Sequence, residues 1–385
     1  MTPLQKLILK SQLPPSGMNF GVSSSRVNKP KGLQRKRDYE PVEWAPYFDY
    51  SEDVKVGENS FHIYTKGTEG PTLVLLHGGG YSGLTWAEFT KSIMTMVVCR
   101  IMAIDLRGHG DTYTTNEEDL SADTLASDVA AVVEAAAVED SPVILVGHSM
   151  GGAVAVRAAP LISNLGGIGV IDVVEGTAMD ALASMQSFLR SRPSSFSSIP
   201  QAIEWCVRSG QIRNILSAKV SVPGQIKNID TNKLATHDIS SLTHSACEQN
   251  SESIAPRDDV IEEEESVNMP PPPTSSSKPV NKKYMWRIDL AKTEQHWFGW
   301  FKGLSTAFLN IPAPKVLLLA GVDRLDRELT VGQMQGKFQM QVLPACGHAV
   351  HEDVPEKVAE AIATFMVRHK FAEPASDFPR TFPAC

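Results

Sequence analysis

A serine between two glycines is the most informative chemical feature of the sequence. Ser149 lies in Gly147-His-Ser-Met-Gly151, after four apolar residues rich in β-branched types and before a run of small residues typical of a closely packed helix. Glycines at these positions permit a sharp strand-to-helix turn, which exposes the serine hydroxyl and directs N–H groups at the helix start towards developing negative charge. We therefore predict that Ser149 is a nucleophile rather than part of a plain packing turn.

A nucleophilic serine needs a neighbouring base, because its hydroxyl is protonated near neutral pH. His348 follows the last predicted strand and precedes the closing helix, the position from which an imidazole reaches such a serine. His351 begins the next turn and is interpreted as structural. His148 precedes the nucleophile and is expected to point away from its hydroxyl. We therefore predict that His348 is the base.

The carboxylate that orients the histidine is less well defined by spacing. Asp323 and Asp326 follow the penultimate predicted strand, the commonest position for this residue, and Asp172 lies one strand earlier. Spacing alone favours Asp323, with Asp326 and Asp172 as alternatives. Each of the three could instead cap a turn or a helix.

A glycine run at the end of an earlier apolar strand predicts an oxyanion hole. Successive glycines in His77-Gly-Gly-Gly80 allow the backbone to expose N–H groups close to a ligand. A flexible turn is the alternative, but the position one strand-and-helix unit before Ser149 favours the oxyanion interpretation. The predicted donors are the N–H groups of Met150, Gly78, Gly79 and Gly80. Asp105, Arg107 and His109, after the next strand, are interpreted as structural.

The order of predicted elements indicates an α/β fold with a mostly parallel central sheet flanked by helices. The predicted parts are a flexible basic arm at 1–45, a first part of the core at 46–175, a helical cap insertion at 176–310 and a second part of the core at 311–385. Within the cap, the acidic and proline-rich residues 250–283 are predicted to be disordered, because they contain too few apolar side chains to offset the ordering entropy.

The aromatic segment at the end of the predicted cap has two interpretations. Residues 284–309 contain Trp286, Trp297, Trp300 and Phe301 and are expected to be helical. We predict that these rings belong to the core, with an exposed docking face for another protein as the alternative.

Composition restricts the class of protein. A net charge of -8 argues against nucleic acid as the main partner. The five cysteines are odd in number, widely spaced and without a C-x-x-C pair, which favours reduced thiols over a disulfide framework or a zinc site. No stretch approaches the roughly 18 apolar residues that span a membrane, and we expect a soluble intracellular protein. The basic cluster Arg35-Lys-Arg37 is either a solvated charge run or a nuclear-import signal.

Beyond these patterns, the sequence resembles the protein phosphatase methylesterases from about Arg35 to its C-terminus. The motifs that carry the resemblance are Gly147-His-Ser-Met-Gly-Gly152, Ile171-Asp-Val-Val-Glu-Gly-Thr-Ala-Met-Asp-Ala-Leu182, Leu319-Ala-Gly-Val-Asp-Arg-Leu-Asp326 with Gln333-Met-Gln-Gly-Lys-Phe-Gln-Met-Gln341, and Cys346-Gly-His-Ala-Val-His-Glu-Asp353. The last three are specific to that family and are not shared by general esterases.

The resemblance implies an α/β-hydrolase fold and removal of the methyl ester from the C-terminal leucine of the type 2A protein phosphatase catalytic subunit. It also implies Asp172 as the acid, which overrides the spacing preference and gives a predicted triad of Ser149, His348 and Asp172. Asp323 and Asp326 are then structural or partner-contacting. No cofactor or metal is expected.

The expected partners are the phosphatase catalytic subunit, as substrate, and its holoenzyme. We expect a monomer in the cytoplasm and nucleus that binds neither nucleic acid nor membrane. Two alternatives remain open. One is a broad small-ester hydrolase with the same triad, and the other is a phosphatase-binding or inhibitory protein with secondary esterase activity.

Overall fold

The computed structural model describes residues 37–137, 141–240, 282–321 and 325–380. Most of the predicted arm, most of the acidic and proline-rich segment and the candidate acid Asp323 lie outside these residues.

Eleven strands are assigned in the described part of the chain. They are β1 (Tyr50–Val56), β2 (Asn59–Lys66), β3 (Thr72–Leu76), β4 (Arg100–Ile104), β5 (Val143–His148), β6 (Leu165–Ile171), β7 (Ser195–Phe196), β8 (Ile226–Asn228), β9 (Tyr284–Trp286), β10 (Lys315–Leu319) and β11 (Gln339–Val342). Eight form the central sheet in the order β1-β2-β4-β3-β5-β6-β10-β11. Only the β1–β2 and β2–β4 pairs are antiparallel, so the prediction of a mostly parallel sheet is confirmed.

Helices lie along the sheet and in the cap. They are α1 (Ala87–Ile93), α2 (Ala122–Ala136), α3 (Met150–Ala158), α4 (Glu175–Ser191), α5 (Ile199–Arg208), α6 (Ile215–Ser221), α7 (Glu294–Phe301), α8 (Leu304–Asn310), α9 (Arg327–Met334), α10 (Val350–Asp353) and α11 (Pro355–Arg368). Short 3₁₀ turns cover Gly83–Trp86, Ala159–Leu161, Val222–Gln225 and Leu290–Thr293. None of the helices in the described ranges is long and apolar enough to cross a membrane.

Strand β3 shows how the sheet is covered on both faces. All five of its residues are buried, as expected for a central parallel strand. Leu73 and Leu75 pack with α1 and α11 on one face, and Val74 and Leu76 pack with α2 and α3 on the other. This two-residue alternation divides the core into two layers and fixes the register of the strand between them.

The cap combines helices with a small antiparallel sheet in the order β7-β9-β8. Its apolar cluster, which includes Ile203 and Tyr284, also contains Tyr81 and Ala349. Tyr81 directly follows the glycine run, and Ala349 directly follows the predicted base. The cap therefore packs against the two loops that carry the predicted chemistry.

Two sequence-based assignments differ from the structure. Tyr284–Trp286 forms strand β9 instead of helix, because strands of two or three residues are too short for alternation to reveal them. Residues 39–45, assigned to the arm, instead pack against the body, where the Trp44 ring lies 5.9 Å from the Tyr64 ring and Val42 N–H donates to Lys219 O at 3.0 Å. The contact pattern accordingly divides the chain after Asp38, and Tyr39–Cys385 forms one unit.

The prediction that the aromatic segment belongs to the core is confirmed for three of its four rings. Trp297, Trp300 and Phe301 are buried in the layer that contains α2 and α3. Trp286 is only partly buried and packs against the cap cluster.

Candidate active site

Three side chains that are far apart in the sequence meet at one edge of the central sheet. The Ser149 hydroxyl lies 3.0 Å from His348 Nε2, and His348 Nδ1 lies 2.8 Å from Asp172 Oδ2. Because a carboxylate only accepts, Nδ1 carries the proton and Nε2 is free to accept the serine proton. The arrangement can perform nucleophilic acyl transfer.

Neighbouring parallel strands explain how two of the three residues come together. His148 at the end of β5 is paired in register with Ile171 at the end of β6. Ser149 and Asp172 are the next residue of each strand, so both emerge at the same edge. Their strands also fix the backbone, since Ser149 N–H donates to Ile171 O at 3.0 Å and Asp172 N–H donates to Leu318 O at 2.8 Å.

The turn at Ser149 has the geometry expected of a nucleophile elbow. Ser149 is held at φ 52° and ψ -121°, a strained conformation for a residue with a Cβ. The turn is tight because both flanking glycines approach backbone. A Cβ on Gly147 would lie 2.1 Å from Gly151 O, and one on Gly151 would lie 2.3 Å from Leu76 O. Any side chain at either position would collide with backbone.

Asp172 is held rigidly behind the imidazole. Its side chain is fully buried, whereas that of His348 is 52% exposed. Asp172 Oδ1 accepts the Ala320 N–H at 3.0 Å, which leaves Oδ2 directed at the histidine. The imidazole is therefore fixed on its buried side and open to substrate and water on the other.

The alternative acids have other environments. Asp326 is the N-cap of α9, where its carboxylate accepts the Leu329 N–H at 2.9 Å and the Ser305 hydroxyl at 2.5 Å. That is the capping role that the sequence left open for it. Asp323 is not among the described residues. Of the two described candidates, it is Asp172 that the structure places against His348.

The glycine run lies directly beside Ser149. A Cβ on Gly78 would be 3.3 Å from the Ser149 Cβ. Met150 begins α3, so its N–H has no acceptor within its helix and is available to a ligand. The Gly80 N–H, in contrast, donates to His109 Nε2 at 2.9 Å. The prediction of Gly80 as an oxyanion donor is therefore wrong for this conformation, because its N–H is already hydrogen-bonded.

Two buried histidines hold the glycine run in place. His77 Nδ1–H donates to Gly78 O at 2.8 Å and its Nε2 accepts the Leu106 N–H at 3.0 Å. His109 Nδ1–H donates to Arg107 O at 2.8 Å while Nε2 accepts from Gly80. Burial lowers the pKa of both rings, to about 4 for His109. Both are therefore neutral, which these acceptor roles require.

The turn after β4 is structural, as the sequence indicated. The Asp105 carboxylate accepts N–H groups from Gly83 at 2.6 Å and Asp111 at 2.9 Å, and Arg107 forms two hydrogen bonds with Asp128. The role of His77 was missed, because nothing in its local sequence separates it from the glycines that follow.

Two more histidines pack behind the site. His148 Nε2 donates to the main-chain oxygen of His348 at 2.8 Å, and its ring lies 4.4 Å from that of His351. His351 Nε2 bonds Thr85 Oγ1 at 2.8 Å. Burial lowers the pKa of both rings well below the usual value. His351 is thus structural, as predicted, and His148 contacts the loop of the base.

The described residues contain no group of three or more His, Cys, Asp or Glu side chains placed to hold a metal ion.

Comparison with known proteins agrees with this geometry. The model of the family described as the alpha/beta hydrolase family matches residues 73–361. An E-2-(acetamidomethylene)succinate hydrolase superposes with a TM-score of 0.58 and 19% identity, covering 83% of this chain and 99% of that one. An esterase of Mycobacterium tuberculosis superposes with a TM-score of 0.55 and 20% identity, covering 83% and 92%. These structures confirm the α/β-hydrolase fold.

Relatives with higher sequence identity point to one group within the α/β-hydrolase family. The protein phosphatase methylesterase 1 of Mus musculus is 55% identical over 100% of both chains, and that of Homo sapiens is 54% identical over 100% of both chains. A probable protein phosphatase methylesterase 1 of Caenorhabditis elegans is 45% identical, covering 88% of this chain and 81% of that one. The chain therefore belongs to the α/β-hydrolase family and, within it, to the protein phosphatase methylesterases, and it is a serine esterase.

Proposed function

We propose that this enzyme removes the methyl ester from the C-terminal leucine of the type 2A protein phosphatase catalytic subunit, alone or in its holoenzyme. The observation that carries the proposal is the hydrogen-bonded line from Asp172 through His348 to Ser149, in a chain whose full-length relatives are protein phosphatase methylesterases.

The geometry supports a two-step acyl transfer. Ser149 Oγ attacks the ester carbonyl as its proton passes to His348 Nε2, and the imidazolium is stabilised by Asp172. The carbon–oxygen bond to the methoxy group then breaks, and methanol leaves with the proton from His348. Water, deprotonated by His348, hydrolyses the acyl-enzyme, which releases a free carboxylate and restores the serine.

The N–H groups of Met150 and Gly79 are the proposed oxyanion donors, with Gly78 forming the wall beside the nucleophile. Each donor of this kind contributes about 3 kcal/mol to transition-state stabilisation. Gly80 is assigned a different task, since its bond to His109 fixes the shape of the loop.

The exposure of the imidazole fits a chain terminus as substrate. With 52% of the His348 side chain exposed, an extended polypeptide end can approach and water can enter for the second step.

We also propose a monomer that acts inside the cell. Three described cysteines, Cys99, Cys206 and Cys346, are free thiols, and the first two are buried, as suits a reducing compartment.

The test is demethylation of purified, methylated phosphatase core enzyme, read by mass spectrometry of its C-terminal peptide. Wild type should remove the methyl group and Ser149→Ala should not. A short-chain chromogenic ester is measured in parallel. Hydrolysis of that ester with no demethylation of the phosphatase would reject the proposal in favour of a broad esterase. Demethylation that persists in Ser149→Ala would reject the nucleophile.

A further inference from the structure

An open cleft of about 850 Å³ lies between the cap sheet and the segment that follows β4. Its wall includes Glu118, Leu189, Arg192, Trp286, Ile288 and Leu290. Leu290 joins it to the active site, because Cβ atoms on Gly79 and Gly80 would lie 3.6 Å and 2.8 Å from its methyl groups. The cleft therefore leads away from the proposed oxyanion loop.

A cation without a counter-ion lines this cleft. The Arg192 guanidinium carbon lies 3.7 Å from the centre of the Trp286 ring. The ring is itself fixed, since its Nε1–H donates to Pro193 O at 2.8 Å. The Nε atom of Arg192 is buried without a hydrogen-bond partner, and no carboxylate of the described residues lies within ion-pair distance of this guanidinium. Even the partial removal of a cation from water is costly when no counter-ion compensates it, and Arg192 is partly buried.

Arg107 has a different environment from Arg192. It is buried, whereas Arg192 is only partly buried, and its guanidinium makes two hydrogen bonds to Asp128, at 2.7 Å and 2.8 Å. Burial lowers the pKa of Arg192, whereas the bonds to Asp128 raise that of Arg107. Arg192 thus has the environment of an ion-pair residue, but no counter-ion for it is found among the described residues.

The remaining charges of the cleft leave it positive. Arg287 is neutralised by Glu117, at 3.0 Å. Lys227, on strand β8, forms no ion pair with any described residue, and burial together with Arg287 lowers its pKa. The negative charge of Asp289 opposes the lowering of the Arg192 pKa by burial, but this carboxylate forms no ion pair with Arg192 and accepts the Ala291 N–H at the start of a 3₁₀ turn. The lining also contains Lys292 and Glu118, so its four basic and three acidic side chains leave a formal charge of +1. An anion entering the cleft would meet Arg192 and Lys227, which form no ion pair with a described residue.

We propose that the cleft is a subsite for an anionic side chain of the substrate polypeptide, which Arg192 binds while stacked on Trp286. This proposal rests on the proposed function, because it assumes a polypeptide that carries the ester. A planar guanidinium held against a ring offers paired N–H donors to carboxylate or phosphate oxygens. An acidic residue and a phosphorylated residue share this chemistry, and the test separates them.

The test uses synthetic peptides that end in leucine methyl ester, with turnover read as methanol release. A single Glu is moved through successive positions before the leucine, and each peptide is paired with its Gln counterpart. At one position the Glu peptide should show a kcat/KM about tenfold above its Gln partner with wild type. Arg192→Gln should bring that ratio to about one, and Arg192→Lys should retain part of it.

Two further variants locate the effect. Trp286→Leu removes the stacking surface and should reduce the same ratio. Arg190→Gln, which changes an exposed arginine in the last turn of α4, two residues before Arg192, is the matched control and should leave the ratio unchanged. Phosphoserine at the responsive position identifies the source. If the phosphoserine peptide has a higher kcat/KM than the Glu peptide, and Arg192→Gln removes that increase, the substrate is phosphorylated. If its kcat/KM is lower than that of the Glu peptide, the substrate carries an acidic residue.

The outcomes distinguish this subsite from the proposed function. If no position gives a Glu preference that depends on Arg192, the subsite is rejected, even where wild type demethylates the phosphatase. If the peptides show that preference while methylated phosphatase core enzyme stays unchanged, the subsite stands and the phosphatase is rejected as substrate.

Discussion

His148 donates its Nε2–H to the main-chain oxygen of His348 at 2.8 Å. A carbonyl can only accept, so this bond fixes the tautomer of His148 and leaves its Nδ1 buried without a partner. The ring of His148 also packs 4.8 Å from that of His348. His148 therefore positions His348, the proposed base, through a main-chain hydrogen bond and a ring contact.

Replacing His148 should therefore impair turnover more than substrate binding. His148→Phe keeps an aromatic ring but removes the donor, and we expect kcat to fall about tenfold with KM nearly unchanged. His148→Gln, whose amide can still donate, should fall between this variant and wild type. Steady-state kinetics on a short-chain ester give the two constants separately. The surface variant His237→Gln serves as control, and equal losses in kcat for both variants would argue against a positioning role.

Two aspartates that the sequence offered as alternatives can be compared directly. Asp172→Asn should lower kcat by about 10⁴, because an amide at this position favours the wrong histidine tautomer. Asp326→Asn should retain nearly full activity, since Asn also caps a helix and Asp326 lies at the start of α9. The same ester assay measures both. The assignment of the acid would be wrong if Asp326→Asn were the inactive protein.

The three proposed triad residues show what local sequence can and cannot predict. Ser149 and His348 were predicted as nucleophile and base from residues next to them in the chain, a glycine elbow and a loop after the last strand. The proposed acid depends on which strand end comes within 2.8 Å of the His348 imidazole. That relationship is long-range, and spacing in the sequence favoured Asp323 instead. Resemblance to a family, rather than spacing, indicated Asp172.

Contacts between segments that are distant in the chain account for the other differences between the sequence-based predictions and the structure. The glycine run predicted Gly80 as an oxyanion donor. In the fold its N–H donates instead to His109, 29 residues later in the chain. The lack of a counter-ion at Arg192 is equally invisible in the sequence, because ion pairs join residues that are far apart in the chain, as Arg287 and Glu117 do. Only the positions of the described carboxylates in the fold show that none of them pairs with Arg192.

The tight elbow predicts opposite effects for two Gly→Ala substitutions. Gly147→Ala would place a Cβ 2.1 Å from Gly151 O, so the variant should lose at least about 3 kcal/mol of unfolding free energy or fail to fold. Gly299→Ala, in the middle of α7, meets nothing within 4 Å and should gain up to about 1 kcal/mol from helix propensity. Urea unfolding compares the two. Equal stabilities would show that the elbow can relax to admit a methyl group.

A buried carboxyl on α10 predicts how stability depends on pH. Glu352 accepts hydrogen bonds from Thr85 and from Ser221, the latter at 2.7 Å. Burial raises its pKa to about 8, against 4.5 for an exposed glutamate. Between these values the unfolded chain has lost the proton and the folded protein keeps it. Folding is therefore helped most below pH 4.5, and this help is lost as pH rises towards 8.

The size of this effect can be isolated with Glu352→Gln, which is neutral at every pH and similar in shape. From pH 5 to pH 8 the unfolding free energy of wild type should fall relative to that of the variant by roughly 4 kcal/mol. The buried His351 also titrates on unfolding, but it is common to both proteins and cancels in the difference. Urea unfolding at each pH gives the two curves, with Glu356→Gln on the exposed start of α11 as the matched control. Because the control keeps Glu352, its curve should run parallel to that of wild type, and a Glu352→Gln curve that also did so would show that Glu352 is ionised in the folded protein.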